Sequence, residues 1–310
     1  KKIGLTALAG SLVTLGSAQA GEMSVSGGIN TTLKFGKGGG NTSRSIGADK
    51  DVAFTGGGEL DNGTTFSMTA TTNDAYGISS STTTITTPSM GSFTFGSGTG
   101  GASGAYDEEV PQVYEQVSDA NDTVSNKVGD FMDNNSVMYT TPTLEMMGAS
   151  ITAHLGYSPQ ASDTTVSDGG QATYSAAVGA GKEAGVTIAY EGLKLGFYGA
   201  ERDRTVPYTA SGSGANYQHD EFNGSWYAKY TMGPVSVGYS EFYFDGGVTQ
   251  ANESTTAAKV HRTAGGIFDG DSMSIAFNVN DNMSISYTTS DETYDTQDDA
   301  KAAVTTDDDV

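Results

Sequence analysis

The chain has 310 residues, no cysteine, 43 glycines, and 37 acidic against 15 basic side chains, a formal charge of −22. The lack of cysteine excludes disulfide-stapled scaffolds and thiolate metal sites, and the acid excess repels phosphate backbones, which excludes nucleic acid as a partner. Glycine at about twice its usual share suits strands and turns and disfavours helices.

The first twenty residues read as an export signal. Lys1 and Lys2 lead into an apolar run over 3–15, and Ala18-Gln19-Ala20 supplies an A-x-A cleavage site. The run is shorter than the ~20 residues a membrane helix needs. Residues 1–20 are therefore expected to be a signal peptide, and 21–310 to form one domain beyond the inner membrane.

From Glu22 onward apolar and polar side chains alternate with period two, which places them on opposite faces of strands. Met23, Val25, Ile29, Leu33 and Phe35 share one face of the first strand, and Ser24, Ser26, Asn30, Thr32 and Lys34 the other. The pattern recurs in Phe66-Met68-Ala70, in Ala149 to Tyr157, in Leu193-Leu195-Phe197 and in Met273 to Val279. It predicts thirteen strands, near 22–36, 44–60, 64–73, 76–87, 92–97, 135–141, 148–157, 172–190, 193–203, 219–232, 235–245, 258–279 and 283–293.

The connections alternate too. Asp61-Asn62-Gly63, Glu191-Gly192, Gly233-Pro234 and Asp281-Asn282 are tight hairpin turns, whereas long polar loops fill 37–42, 98–134, 158–170, 203–218, 245–257 and the stretch after Thr293. Short turns at one end and long loops at the other mark a transmembrane antiparallel β-barrel of the outer membrane. Single-chain bacterial barrels have even strand numbers. Thirteen strands, a start without methionine and an end inside the acidic run Thr306 to Val310 predict a C-terminal truncation, with about three further strands making sixteen.

Two segments carry a family resemblance. Ser89-Met90-Gly91-Ser92-Phe93-Thr94-Phe95-Gly96 resembles the turn and strand before the long third loop of general bacterial porins, particularly the alphaproteobacterial, Rhodobacter-like type. Asn135-Ser136-Val137-Met138-Tyr139-Thr140-Thr141-Pro142 is similar to the strand after that loop. The resemblance implies a sixteen-stranded homotrimeric pore whose third loop, here 98–134, folds inward as a constriction. That loop lacks the proline-glutamate-phenylalanine-glycine motif of enteric porins, and the second loop, 73–78, is short for a latch between subunits.

The loop is acidic. Asp107, Glu108, Glu109, Glu115, Asp119, Asp122, Asp130 and Asp133 stand against Lys127 alone. Inside a pore these carboxylates concentrate the field on permeating ions and favour cations. Parity places Lys34, Lys194, Arg202 and Lys229 on the polar face, so they are expected on the pore wall, where charge avoids the ~2 to 4 kcal/mol cost of facing lipid. Phe35, Tyr76, Tyr157, Trp226, Tyr230 and Tyr239 are candidates for interfacial girdles.

Enzyme motifs are lacking. His154, His219 and His261 are scattered without H-E-x-x-H spacing, and the G-x-G-x-x-G at Gly96, Gly98 and Gly101 is not followed by an amphipathic helix. Neither a cofactor nor a resident metal is expected, beyond weak Ca²⁺ bridging of acidic loops such as those at Asp245 and Asp298-Asp299. The expected function is passive diffusion of small hydrophilic solutes and ions, with cation preference, in contact with outer-membrane lipids. The alternative is a secreted or surface-attached β-rich structural or adhesion protein, which the two-ended loop asymmetry and the lack of a fixed repeat disfavour.

Overall fold

The computed structural model describes residues 23–35, 44–97, 101–107, 109–111, 132, 135–161, 178–204, 215–217, 220–245, 248–250, 267–295 and 306–309. In chain order the strands are β1 (Met23–Phe35), β2 (Arg44–Glu59), β3 (Thr65–Thr72), β4 (Ile78–Thr87), β5 (Gly91–Ser97) and β6 (Ser136–Thr140). Next come β7 (Leu144–Met146), β8 (Ala149–Ser158), β9 (Val178–Tyr190), β10 (Leu193–Arg204), β11 (Ala215–Tyr217) and β12 (Glu221–Met232). The last are β13 (Val235–Asp245), β14 (Val248–Gln250), β15 (Ile267–Asn280), β16 (Met283–Asp295) and β17 (Thr306–Asp309). A 3₁₀ turn, Ser103–Ala105, follows β5. Among the described residues no helix is long and apolar enough to cross a membrane, which says nothing against strands that cross.

Fifteen strands form one antiparallel sheet in near-sequential order, with β11 and β14 paired separately. The thirteen predicted strands correspond to β1–β6, β8–β10, β12, β13, β15 and β16, and β7 and β17 complete the fifteen. β7 continues the edge that β6 begins: both pair with β8, on either side of Thr141-Pro142-Thr143, where proline has no N–H to give to a ladder. β17 corrects the expectation of a loop through Thr306 to Asp309, since these residues pair with Tyr294 to Asp291. Acidic residues are register partners of acidic residues there, so strand propensity gives no hint of the pairing.

Each hairpin turn read from the sequence joins consecutive strands, and a further one, Met147-Gly148, joins β7 to β8. Its two residues have φ of +54° and +83°, the positive-φ pair that a two-residue hairpin needs, with glycine at only one of the two positions. The β3–β4 connection is held by Asn73, whose Oδ1 accepts the N–H groups of Ala75 and Gly77 at 3.0 Å.

The two faces of the sheet are inverted relative to a soluble domain. One cross-strand row runs Leu193, Tyr230, Val237, Ile275 and Tyr287, and Ile275 and Tyr287 are 49% and 70% exposed. Ile29, Leu33, Ile46, Phe66, Phe95 and Leu155 are likewise exposed on their strands. On the opposite parity Ser240, Ser272, Ser274 and Ser290 are buried. Apolar side chains cover the outside of the sheet while hydroxyls lie inside, the arrangement that hydrocarbon solvent demands.

Candidate functional site

After β5 the described residues of segment 101–111, 101–107 and 109–111, lie on the inner face against β8, β9, β10, β12, β13 and β15. Gly101 enters at φ +66°, and Ala102 N–H donates to Glu183 Oε1 at 2.9 Å. The same carboxylate accepts the Tyr198 hydroxyl on Oε2 at 2.9 Å. Tyr106 stacks on Tyr198 with ring centroids 5.1 Å apart and shares a 2.6 Å hydrogen bond with His154 Nδ1. Burial, with Tyr227 and Glu183 nearby, pushes the Tyr106 phenol well above its ordinary value, so it stays protonated at physiological pH. The Ser225 hydroxyl donates to Tyr106 O, and the Ser274 hydroxyl to Pro111 O. Ala102, Tyr106 and Met132 pack with Tyr198, Ala200, Tyr227, Phe242 and Phe244 in a buried apolar cluster among the described residues.

Between the Tyr106 and Pro111 attachments, Glu109 meets two wall lysines. Its Oε2 lies 2.5 Å from Lys229 Nζ and 3.6 Å from Lys194 Nζ. Lys194 and Lys229 are direct cross-strand partners on β10 and β12, and both ammonium groups lie over the Tyr227 ring, at 5.4 and 6.0 Å. One carboxylate thus bridges two cations that face each other in the same register and offsets their mutual repulsion. The lysines are partly exposed, so the cluster is open to water and to mobile ions.

The other predicted site residues are placed differently. Arg202, on the same inner parity, pairs with Glu221 across the β10–β12 ladder and donates to Ala161 O at 3.2 Å. Lys34 stands opposite Ser45 in the β1–β2 ladder, and its side chain lies outside the described residues. Asp107 is described, with its backbone N–H donating to Ser103 O at 3.0 Å. Glu108, Glu115, Asp119, Asp122, Asp130 and Asp133 lie outside the described residues, as do Gly246, Gly247 and Asp298-Asp299 of the expected Ca²⁺-bridging loops. A separate acidic group, Glu201, Asp203 and Asp220, brings carboxylate oxygens within 4.8 Å of one another.

Sequence reasoning missed Glu183 and Tyr106. The only local signal is on β9, where Gly181, Glu183 and Gly185 share one parity, an acid flanked by residues without side chains. Glu183→Ala removes the acceptor of both Ala102 N–H and Tyr198 OH. A loss of about 2 kcal/mol in denaturant titration is expected; unchanged stability would show that the segment is held without it.

Of the girdle candidates, Phe35, Tyr76, Tyr157 and Tyr230 are exposed, and Trp226 and Tyr239 both donate to the Glu241 carboxylate, at 2.8 and 2.6 Å.

A family profile described as Gram-negative porin matches residues 4–308. No curated protein sequence matches the chain. Among solved structures, a porin aligns at 12% identity over 92% of this chain and 87% of its own, with a TM-score of 0.53. Outer-membrane expressed OmpT of Vibrio cholerae aligns at 12% identity over 93% and 80%, TM-score 0.54. An anion-selective porin from Comamonas acidovorans aligns at 16% identity over 89% and 80%, TM-score 0.51. At such identities these likenesses concern the fold alone.

Proposed function

The chain belongs to the Gram-negative porin family, a family of the outer membrane, and from that premise we propose that it forms a water-filled, cation-preferring channel for small hydrophilic solutes. The observation that carries the reading is Glu109, held by an inward-lying segment against Lys194 and Lys229 on the hydroxyl-lined face. Acid on one side and bases on the other set up a transverse field, which orients dipolar solutes and disfavours apolar ones that must give up ordered water. No covalent step and no cofactor enter this reading.

Cation preference is supported by the eight acids against one lysine in 98–134 and by Asp51, exposed on the inner parity of β2. The two segments at 89–96 and 135–142 support an alphaproteobacterial type, and family membership supports a homotrimer in outer-membrane lipid.

Glu109→Gln tests the reading. One unit charge near the ion path is worth about 1 kcal/mol at the dielectric of water, roughly a fivefold change in permeability ratio. The cation-to-anion ratio is therefore expected to fall about fivefold in a planar bilayer under a low-salt KCl gradient, and less at molar salt, where screening shortens the field. An unaltered reversal potential would remove Glu109 from the permeation path.

A further inference from the structure

We propose that Gly185 and Gly238 are positioning residues that set how deeply segment 101–111 is seated in the wall, and thereby the width and charge of the pore; the inference rests on the channel reading above. A Cβ built on Gly185 falls inside 3.0 Å of the Tyr106 ring, and one built on Gly238 falls inside 3.0 Å of Pro111 Cδ. Real Cβ contacts essentially never approach so closely. Neither glycine has a positive φ, so the requirement is for space and not for backbone conformation.

The positions of the two glycines in the ladders show why they matter. Gly185 is the cross-strand partner of His154, which bonds the Tyr106 hydroxyl. Gly238 lies opposite Lys229 on one side and Ser274 on the other, which bond Glu109 and Pro111 O respectively. At each end of the segment a wall residue that grips it stands beside a wall residue with no side chain. The grip supplies the bond and the gap supplies the depth. Gly181 extends the seat, since a Cβ there would meet Met132 Cε at 2.5 Å.

Tyr106 and Pro111 bracket Glu109, so a methyl group under either one must lift the carboxylate off its lysines as well as push the segment into the lumen. Packed interiors do not absorb a methyl freely. G185A and G238A are therefore expected to lower single-channel conductance and to shift the reversal potential toward chloride. G56A is the control: a Cβ there meets nothing within 4 Å. P111G, which removes the ring that Gly238 accommodates, is expected to restore parental behaviour to G238A.

The test is planar-bilayer recording of the parent, G56A, G185A, G238A and G238A/P111G, each refolded in detergent and checked for the folded form by gel mobility. If G238A alone fails to fold and G238A/P111G folds, the same seat is supported; failure of both overturns it. Parental conductance and reversal potential in folded G185A and G238A would also overturn the proposal. A parent that folds and does not conduct would remove the channel reading itself, a different result from a conducting parent whose variants are unchanged.

Discussion

Replacing Ile275 with lysine is expected to destabilise the folded barrel by about 2–4 kcal/mol, whereas the same lysine at the adjacent Ala276 is expected to change stability by less than about 0.5 kcal/mol. The two residues differ by one position and so by one face. Ile275 lies in the outward row with Val237 and Tyr287, with Phe277 and Val279 on one side along β15 and Met273 on the other, the middle of the apolar stretch. A lysine there must place an ammonium group in hydrocarbon or drag its chain toward an interface. Ala276 faces inward between Ser236 and Ser286, where an ammonium group meets water. Urea titration of barrels folded into lipid vesicles measures the difference, and equal stability for the two variants would invert the assignment of faces. Ala276→Lys should instead appear in the reversal potential.

This parity was legible in the sequence because a strand has only two faces and hydrocarbon rewards one of them. Strand limits such as 235–245 and turns such as Asp61-Asn62-Gly63 follow from the same local rules. The predicted strands at 172–190 and 258–279 are described from Val178 and Ile267 onward, and their first residues lie outside the described residues. The seat of segment 101–111 was not legible, because its partners are distant: Ala102 and Glu183 are 81 positions apart, Tyr106 and Ser225 are 119, and Pro111 and Ser274 are 163. Periodicity reports on neighbours in a strand and is silent on which loop residue lands on which wall residue. Lys194 and Lys229 could be assigned to the inner face by parity, but that both would meet Glu109, and Arg202 would not, depends on the path of the loop.

Arg202 shows what parity leaves undecided, and removing it is expected to have a large effect of its own. Its partner Glu221 is 2% exposed and Arg202 16%, so the pair has given up most of its hydration. Isolating a buried charge costs about 3–5 kcal/mol, far more than an exposed ion pair contributes. Arg202→Ala should therefore destabilise the barrel by up to about that amount at neutral pH, because it takes the guanidinium away from the buried Glu221 carboxylate and also withdraws the donor to Ala161 O. Glu221→Ala should destabilise for the mirror reason, though less, since the guanidinium keeps its bond to Ala161 O and is nearer to water. In the double variant neither charge remains, and the combined loss should be smaller than the sum of the two single losses by about 2 kcal/mol or more. Additive losses in denaturant titration would show that the pair is not a unit. A coupled result together with an unchanged reversal potential in Arg202→Ala would give Arg202 the role of holding β10 against β12, and would leave selectivity to Glu109 and its two lysines.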